Sequence, residues 1–104
     1  MNKIYLVITD NGFTNDPETD IKAYQRKGDA INELQRQRVE FIDSLMEKTN
    51  ITTELKEQIR NRPKDLDRQT IEYLAFTELP EHFEVYDIYG GNGITIKVEE
   101  KDLN

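Results

Sequence analysis

The hydrophobic positions of the chain recur with two periods, which predict strands at both ends and helices in the middle. Residues 3–9 form a β-branched and aromatic run of near-continuous apolar character, typical of a central strand. Residues 10–20 contain the Gly, Asn, Asp and Pro residues of a loop, and the alternation in 21–25 predicts a short second strand. Residues 83–89 and 94–99 flank a Gly-Gly-Asn-Gly turn and predict a hairpin.

Three helices are predicted between these strands. The longest spans 29–47, where apolar side chains recur at helical spacing on one side. A shorter helix is predicted over 53–61, with Thr52 as its N-cap. A third is predicted over 68–78, where Asp67 would be the N-cap between two apolar residues that could form a hydrophobic staple.

The order β-β-α-α-α-β-β predicts an α+β fold in a single domain over 1–104. We expect a four-stranded, mostly antiparallel sheet with the helices packed on one face. A chain of 104 residues can bury a core without disulfides, and this one has no cysteine. The N-terminal apolar run 4–8 is too short for a signal-peptide core or a membrane span. We therefore expect a cytoplasmic protein that does not enter a membrane.

The residue types argue against catalysis and against a bound cofactor. There is no cysteine, the single serine lies within the longest predicted helix, and His82 is the single histidine. The segment Gly90-Gly-Asn-Gly could cradle a phosphate, but a strand follows it instead of a helix and it contains no lysine, which favours a hairpin turn. We expect no enzymatic activity, no catalytic residue and no cofactor.

The loop over 10–20 is rich in oxygen ligands of the kind that Ca²⁺ and Mg²⁺ prefer. The spacing of its acids does not match an EF-hand, and Pro17 interrupts it. We therefore expect a solvated acidic loop and no metal.

One charged residue falls on the apolar side of the longest predicted helix. Arg38 lies in the middle of that apolar arc, with Gln35 beside it. Arg38 could extend to the surface along its aliphatic stem, or pair with a carboxylate of the sheet or of another helix. Alternatively, Gln35 and Arg38 face a second copy of the chain and form an oligomer interface.

The net charge of −7 is unevenly distributed, because residues 1–20 sum to −3 and residues 69–104 to −6. The basic residues between 60 and 68 are interleaved with acids, so we expect salt bridges there and no direct contact with nucleic acid. The two acidic ends predict a surface for a protein partner with a basic surface. We expect this surface to include Asp10, Asp16, Glu18, Asp20, Glu81, Glu84 and Asp87.

In size, acidity and lack of cysteine, the chain resembles the small α+β proteins that phages and other mobile elements encode. This resemblance implies a non-enzymatic protein that occludes a site on a host enzyme. The leading hypothesis is an inhibitor or regulator of a basic, nucleic-acid-binding surface, as found on a nuclease or a defence complex. The alternative is a homo-oligomeric structural or regulatory module, paired through helix 29–47 or a sheet edge. A small-ligand binder or an enzyme is the third hypothesis, and a pocket with convergent polar groups would favour it.

Overall fold

A six-stranded antiparallel sheet organises the chain, so the predicted four-stranded sheet is wrong. The computed structural model describes residues 2–13, 18–48 and 52–103, and we describe no side chain for 46–48. The elements in chain order are β1 (Asn2–Asn11), β2 (Glu18–Tyr24), α1 (Lys27–Lys48), α2 (Thr53–Asn61), β3 (Leu66–Ile71), β4 (Leu74–Leu79), β5 (His82–Asp87) and β6 (Gly93–Leu103). The strand order across the sheet is β2-β1-β6-β5-β4-β3, and every neighbouring pair is antiparallel.

The predicted third helix over 68–78 is also wrong, because this segment forms the hairpin of β3 and β4. The turn between Ile71 and Leu74 places Glu72 at a φ of 55°, a left-handed conformation that glutamate seldom adopts. Leu74, Ala75 and Phe76 are at most 2% exposed, so three consecutive residues of this strand are buried and show no alternation of exposure. A continuous apolar run of this kind fits a buried helix as well as a buried strand, so periodicity could not separate the two.

The other predicted elements are present, with two helices in the described residues and an α+β character throughout. Helix α1 covers the predicted 29–47 segment, and α2 occupies 53–61. The predicted cap of α2 is confirmed, since the Leu55 amide donates to Thr52 Oγ1 over 3.2 Å. The predicted C-terminal hairpin is confirmed as β5 and β6.

Both helices pack on the same face of the sheet, which we call the helix face. Side chains alternate along each strand, so one set of alternate residues meets the helices. Val7, Phe76, Phe83 and Ile96 belong to this set and are at most 1% exposed. Helix α1 lies over β1, β2 and β6, and α2 adds the fully buried Ile59 to the same core. This layer forms the hydrophobic core.

The opposite face, which we call the open face, has no described helix against it. Leu6 and Ile8 alternate with the buried Val7 and are only half-buried. Ile21 lies opposite Ile8 on the edge strand β2 and is 59% exposed. Large apolar side chains are therefore accessible on this face, in contrast to their neighbours on the helix face. No described helix is both long enough and apolar enough to cross a membrane.

Candidate functional site

Three of the predicted acids meet at a groove at one end of the sheet. Asp10 near the end of β1, Glu18 at the start of β2 and Glu84 of β5 line a concavity of about 490 Å³, together with Tyr86. We call this concavity the acidic groove. None of the described residues that line it is a lysine or an arginine. The groove therefore concentrates negative charge.

Strand pairing explains why acids distant in sequence meet here. Asp10 of β1 lies opposite Thr95 of β6, and Thr95 in turn lies opposite Glu84 of β5. Directly opposed residues of antiparallel strands share a face, so these three side chains lie together on the open face. Glu18 pairs with Asn11 and so starts on the helix-face side of the edge strand, but it is the first residue of β2 and lines the end of the groove.

Glycines allow the backbone to close one wall of the groove. The Gly12 amide donates to the Gly93 carbonyl over 2.7 Å, which ties the end of β1 to the start of β6. A Cβ atom at Gly93 would lie 2.8 Å from both Tyr86 Cβ and the Val85 carbonyl oxygen. No side chain fits at this position without displacing β5.

The carboxylates of the groove are held by hydroxyl groups instead of cations. Thr19 Oγ1 donates to Asp10 Oδ1 over 2.6 Å, and Thr95 Oγ1 donates to Glu84 Oε1 over 3.4 Å. His82 Nε2 lies 3.6 Å from Glu84 Oε1, a contact that becomes an ion pair only when the histidine is protonated. Across the described residues, no lysine or arginine forms an ion pair with any of the three acids.

Arg68 contacts the groove through Tyr86. Arg68 Nη2 donates to the Tyr86 hydroxyl over 2.7 Å, and its guanidinium carbon lies 5.8 Å from the centre of the tyrosine ring. Arg68 therefore contacts the aromatic ring without neutralising a carboxylate of the groove. Within the described ranges, no group of three or more His, Asp or Glu side chains is placed to hold a metal ion.

The remaining predicted acids do not join the groove. Asp20 is exposed on the helix-face side of the edge strand β2. Glu81 Oε1 lies 2.5 Å from Lys27 Nζ, and this contact raises the pKa of the lysine through a hydrogen bond and charge attraction. Asp16 lies outside the described residues. The structure thus brings together Asp10, Glu18 and Glu84 and leaves Asp20 and Glu81 elsewhere.

Asp87 has a structural position in the turn after β5. One carboxylate oxygen, Oδ1, accepts hydrogen bonds from the amides of Tyr89 at 2.8 Å and Gly90 at 3.0 Å. These bonds satisfy backbone donors in the 88–92 segment, which forms the turn of the β5–β6 hairpin. Asp87 therefore shapes the turn that borders the acidic groove.

The second predicted surface comprises Gln35 and Arg38, and the Arg38 side chain points into the chain. Gln35 is half-buried, and Arg38 is only 7% exposed. Arg38 Nε donates to Glu78 Oε1 on β4, which confirms the predicted pairing with a carboxylate of the sheet. Arg62 Nε contacts the other oxygen of the same carboxylate. We call Arg38, Arg62 and Glu78 the buried ion cluster.

The buried ion cluster holds two guanidinium groups and one carboxylate, and so carries an excess positive charge. Arg62 donates through Nη1 to the Ile59 carbonyl, and its Cζ lies 4.2 Å from the centre of the Phe76 ring. Burial lowers the pKa of Arg62, and the nearby Glu78 opposes that effect. Sequence reasoning missed Glu78 because it placed this residue in a helix. Strand alternation with Leu74 and Phe76 would have assigned it to the core side.

No protein-family model matches the chain, and it matches neither a curated protein nor a solved structure.

Proposed function

We propose that this chain is a small, non-enzymatic interaction protein whose acidic groove binds a basic, nucleic-acid-binding surface of another protein. Binding would inhibit or regulate that partner, such as a host nuclease or a defence complex. The observation that carries the proposal is the convergence of Asp10, Glu18 and Glu84 on one groove that no described lysine or arginine lines.

The electrostatics of the groove favour a basic partner. Like charges held at a concave surface focus the potential and repel one another, and an incoming lysine or arginine removes that repulsion. The chain has a net charge of −7, so the long-range field attracts the same partner. A basic surface that normally contacts phosphate groups presents the matching pattern of charges.

The surroundings of the groove supply apolar contact area. Ile8 lies two residues before Asp10 on the same side of β1, next to the exposed Ile21 of β2. Tyr86 lies in the groove itself. Protein interfaces commonly combine aromatic and apolar side chains with a polar rim, and this end of the open face has both.

A homo-oligomer is the second candidate function, and a sheet edge supports it better than α1 does. Arg38 is already paired with Glu78 inside the chain, so it is a poor contact for a second copy. The edge strand β2 offers unpaired backbone groups and the exposed Ile21. Sedimentation velocity tests this candidate, since a dimer formed at this edge should dissociate in the Ile21→Lys variant.

The test of the main proposal uses a labelled ten-residue arginine peptide as a minimal basic surface. Its affinity is measured by fluorescence anisotropy for the wild type and for a Glu18→Lys, Glu84→Lys double variant. The matched control is Glu57→Lys with Glu72→Lys, because both residues are exposed and lie outside the groove. The two double variants have the same net charge.

We expect the groove variant to bind about tenfold or more weakly than the control variant at low salt. The difference should shrink between about 50 and about 500 mM salt, as screening shortens the range of the interaction. Equal losses in both variants would show that only net charge matters and would refute the role of the groove. Unchanged circular dichroism of both variants provides the control for folding.

A further inference from the structure

A second concavity lies between α1 and α2, on the helix side of the sheet. It has a volume of about 200 Å³, and Arg38, Arg60 and Lys64 line it. Asp43 is the one acid in its described lining, so cations exceed anions by two. We call it the basic groove. The groove is therefore a locally positive region in a chain whose net charge is −7.

Two of the three cations of this groove have no ion-pair partner among the described residues, whereas Arg38 contacts Glu78. Arg60 and Lys64 are exposed, and neither forms an ion pair with a described residue. A basic residue in the last turn of α2 complements the helix dipole, which accounts for Arg60. The dipole effect falls off within that turn and does not account for Lys64, which lies beyond the helix.

The buried ion cluster adds an independent reason for an anion at this groove. Arg38 shares the single carboxylate of Glu78 with Arg62, so one positive charge remains uncompensated in the interior. Arg62 Nη2 is buried and has no hydrogen-bond partner in the described residues, but Arg62 does not line the groove, so an anion there meets the cluster through Arg38. An unpaired buried charge is costly, and an anion placed against Arg38 would balance it.

We propose that the basic groove binds a phosphate-sized oxyanion. Arg38, at 7% exposure, forms the buried end of the site, and the exposed Arg60 and Lys64 form its rim. Guanidinium groups donate two parallel hydrogen bonds to phosphate or sulfate oxygens, so arginine suits this ligand. The apolar side chains of Ile42 and Ile59 line the same groove and exclude water, which strengthens these bonds.

The size of the groove limits the ligand to a small anion. Pockets that enclose drug-sized ligands measure about 300–1,000 Å³. A groove of about 200 Å³ is below that range and suits a single phosphate or sulfate group better than a whole nucleotide.

The probe is inorganic phosphate, and the primary readout is the Tm of the full chain. Phosphate is compared with sodium chloride at equal ionic strength, for the wild type and for an Arg60→Gln, Lys64→Gln double variant. Both residues are exposed, so the variant should fold normally. The matched control is Arg26→Gln with Lys101→Gln, which removes the same charge at exposed positions outside the groove.

We expect a saturable rise in Tm of roughly 5 °C or more when phosphate exceeds its Kd about tenfold. The rise should persist in the control variant and disappear in the groove variant. Amide NMR shifts on phosphate addition should concentrate at residues 59–64. An equal rise in sodium chloride, or an undiminished rise in the groove variant, would overturn the proposal. It would also fail if a ten-nucleotide single-stranded DNA shifted these amides while phosphate did not.

Discussion

The two faces of the sheet are built from the same strands and differ in burial and in charge. On the helix face, Phe83, Val85 and Ile96 are fully buried beneath α1 and α2. On the open face, their neighbours Glu84 and Tyr86 are half-buried and line a groove. Because side chains alternate along a strand, those on the helix face form the stabilising core, and those on the open face remain accessible to a partner.

The charges of the two faces differ in the same way. Glu78 on the helix face is 2% exposed and contacts two arginines, whereas the described polar partners of Glu84 on the open face are a threonine and a histidine. A buried carboxylate that compensates guanidinium groups is required for folding, because its removal leaves charges unpaired in the interior. An accessible carboxylate can be changed at little cost to the fold. Substitutions of Glu78 and of Glu84 can therefore test whether only the buried carboxylate is required for folding.

The largest effect should come from Glu78→Gln, which leaves two buried guanidinium groups without a carboxylate. We expect a loss of about 3–5 kcal/mol in the free energy of unfolding, measured by urea denaturation. Glu84→Gln is the matched control on the open face and should change stability by less than about 0.5 kcal/mol. Similar losses of unfolding free energy in the two variants would contradict the proposal that the helix face stabilises the fold and the open face does not.

An intermediate effect is expected for valine substitutions in the β5–β6 hairpin. Gly93→Val should cost about 2–3 kcal/mol, because its side chain would collide with Tyr86 and the Val85 carbonyl. Gly91 has a φ of 72° and open space around it, so Gly91→Val should cost about 1–2 kcal/mol from backbone strain alone. Thermal unfolding of the single variants checks the order, and a larger loss for Gly91→Val would contradict the packing seen at the groove wall.

The smallest effect concerns an ion pair at the border of the helix face. The hydrogen bond from Arg36 lowers the pKa of Glu33 from 4.5 to about 2, and Lys22 on β2 contributes through a 3.2 Å contact. The pKa is lower in the folded chain, so the stabilisation is complete above pH 4.5 and is lost as the pH falls towards 2. Urea denaturation at a series of pH values should show this decline in the wild type and a flatter profile in Glu33→Gln. Identical profiles would show that Glu33 does not contribute.

Much of the fold followed from local patterns, and the errors arose where two patterns coincide. The apolar stripe of α1 and the Gly-rich turn before β6 each have a single physical interpretation. The segment around Phe76 does not, because its continuous apolar run lacks the alternation that identifies strands. The turn at Glu72 added to the error, since glutamate gives no signal for a positive φ.

The candidate sites were only partly predictable from the sequence, because strand register decides which acids meet. Net charge indicated that acids at both ends of the chain could form one surface, and Asp10, Glu18 and Glu84 do meet. Composition could not separate them from Asp87, whose carboxylate accepts two amides of the adjoining turn, or from Glu81, which pairs with Lys27. Such distinctions depend on strand register, and that register depends on contacts between residues far apart in the sequence.

An NMR titration of the isotope-labelled protein with the ten-residue arginine peptide tests most directly whether the acidic groove on the open face binds a basic partner. We expect amide shifts concentrated at residues 10–12, 18–19, 84–86 and 91–93, with small changes along α1 and α2. Saturation with unlabelled peptide should move these signals together, as expected for one site. Shifts concentrated on the helices, or spread evenly over all exposed acids, would contradict the claim that the open face is the recognition surface.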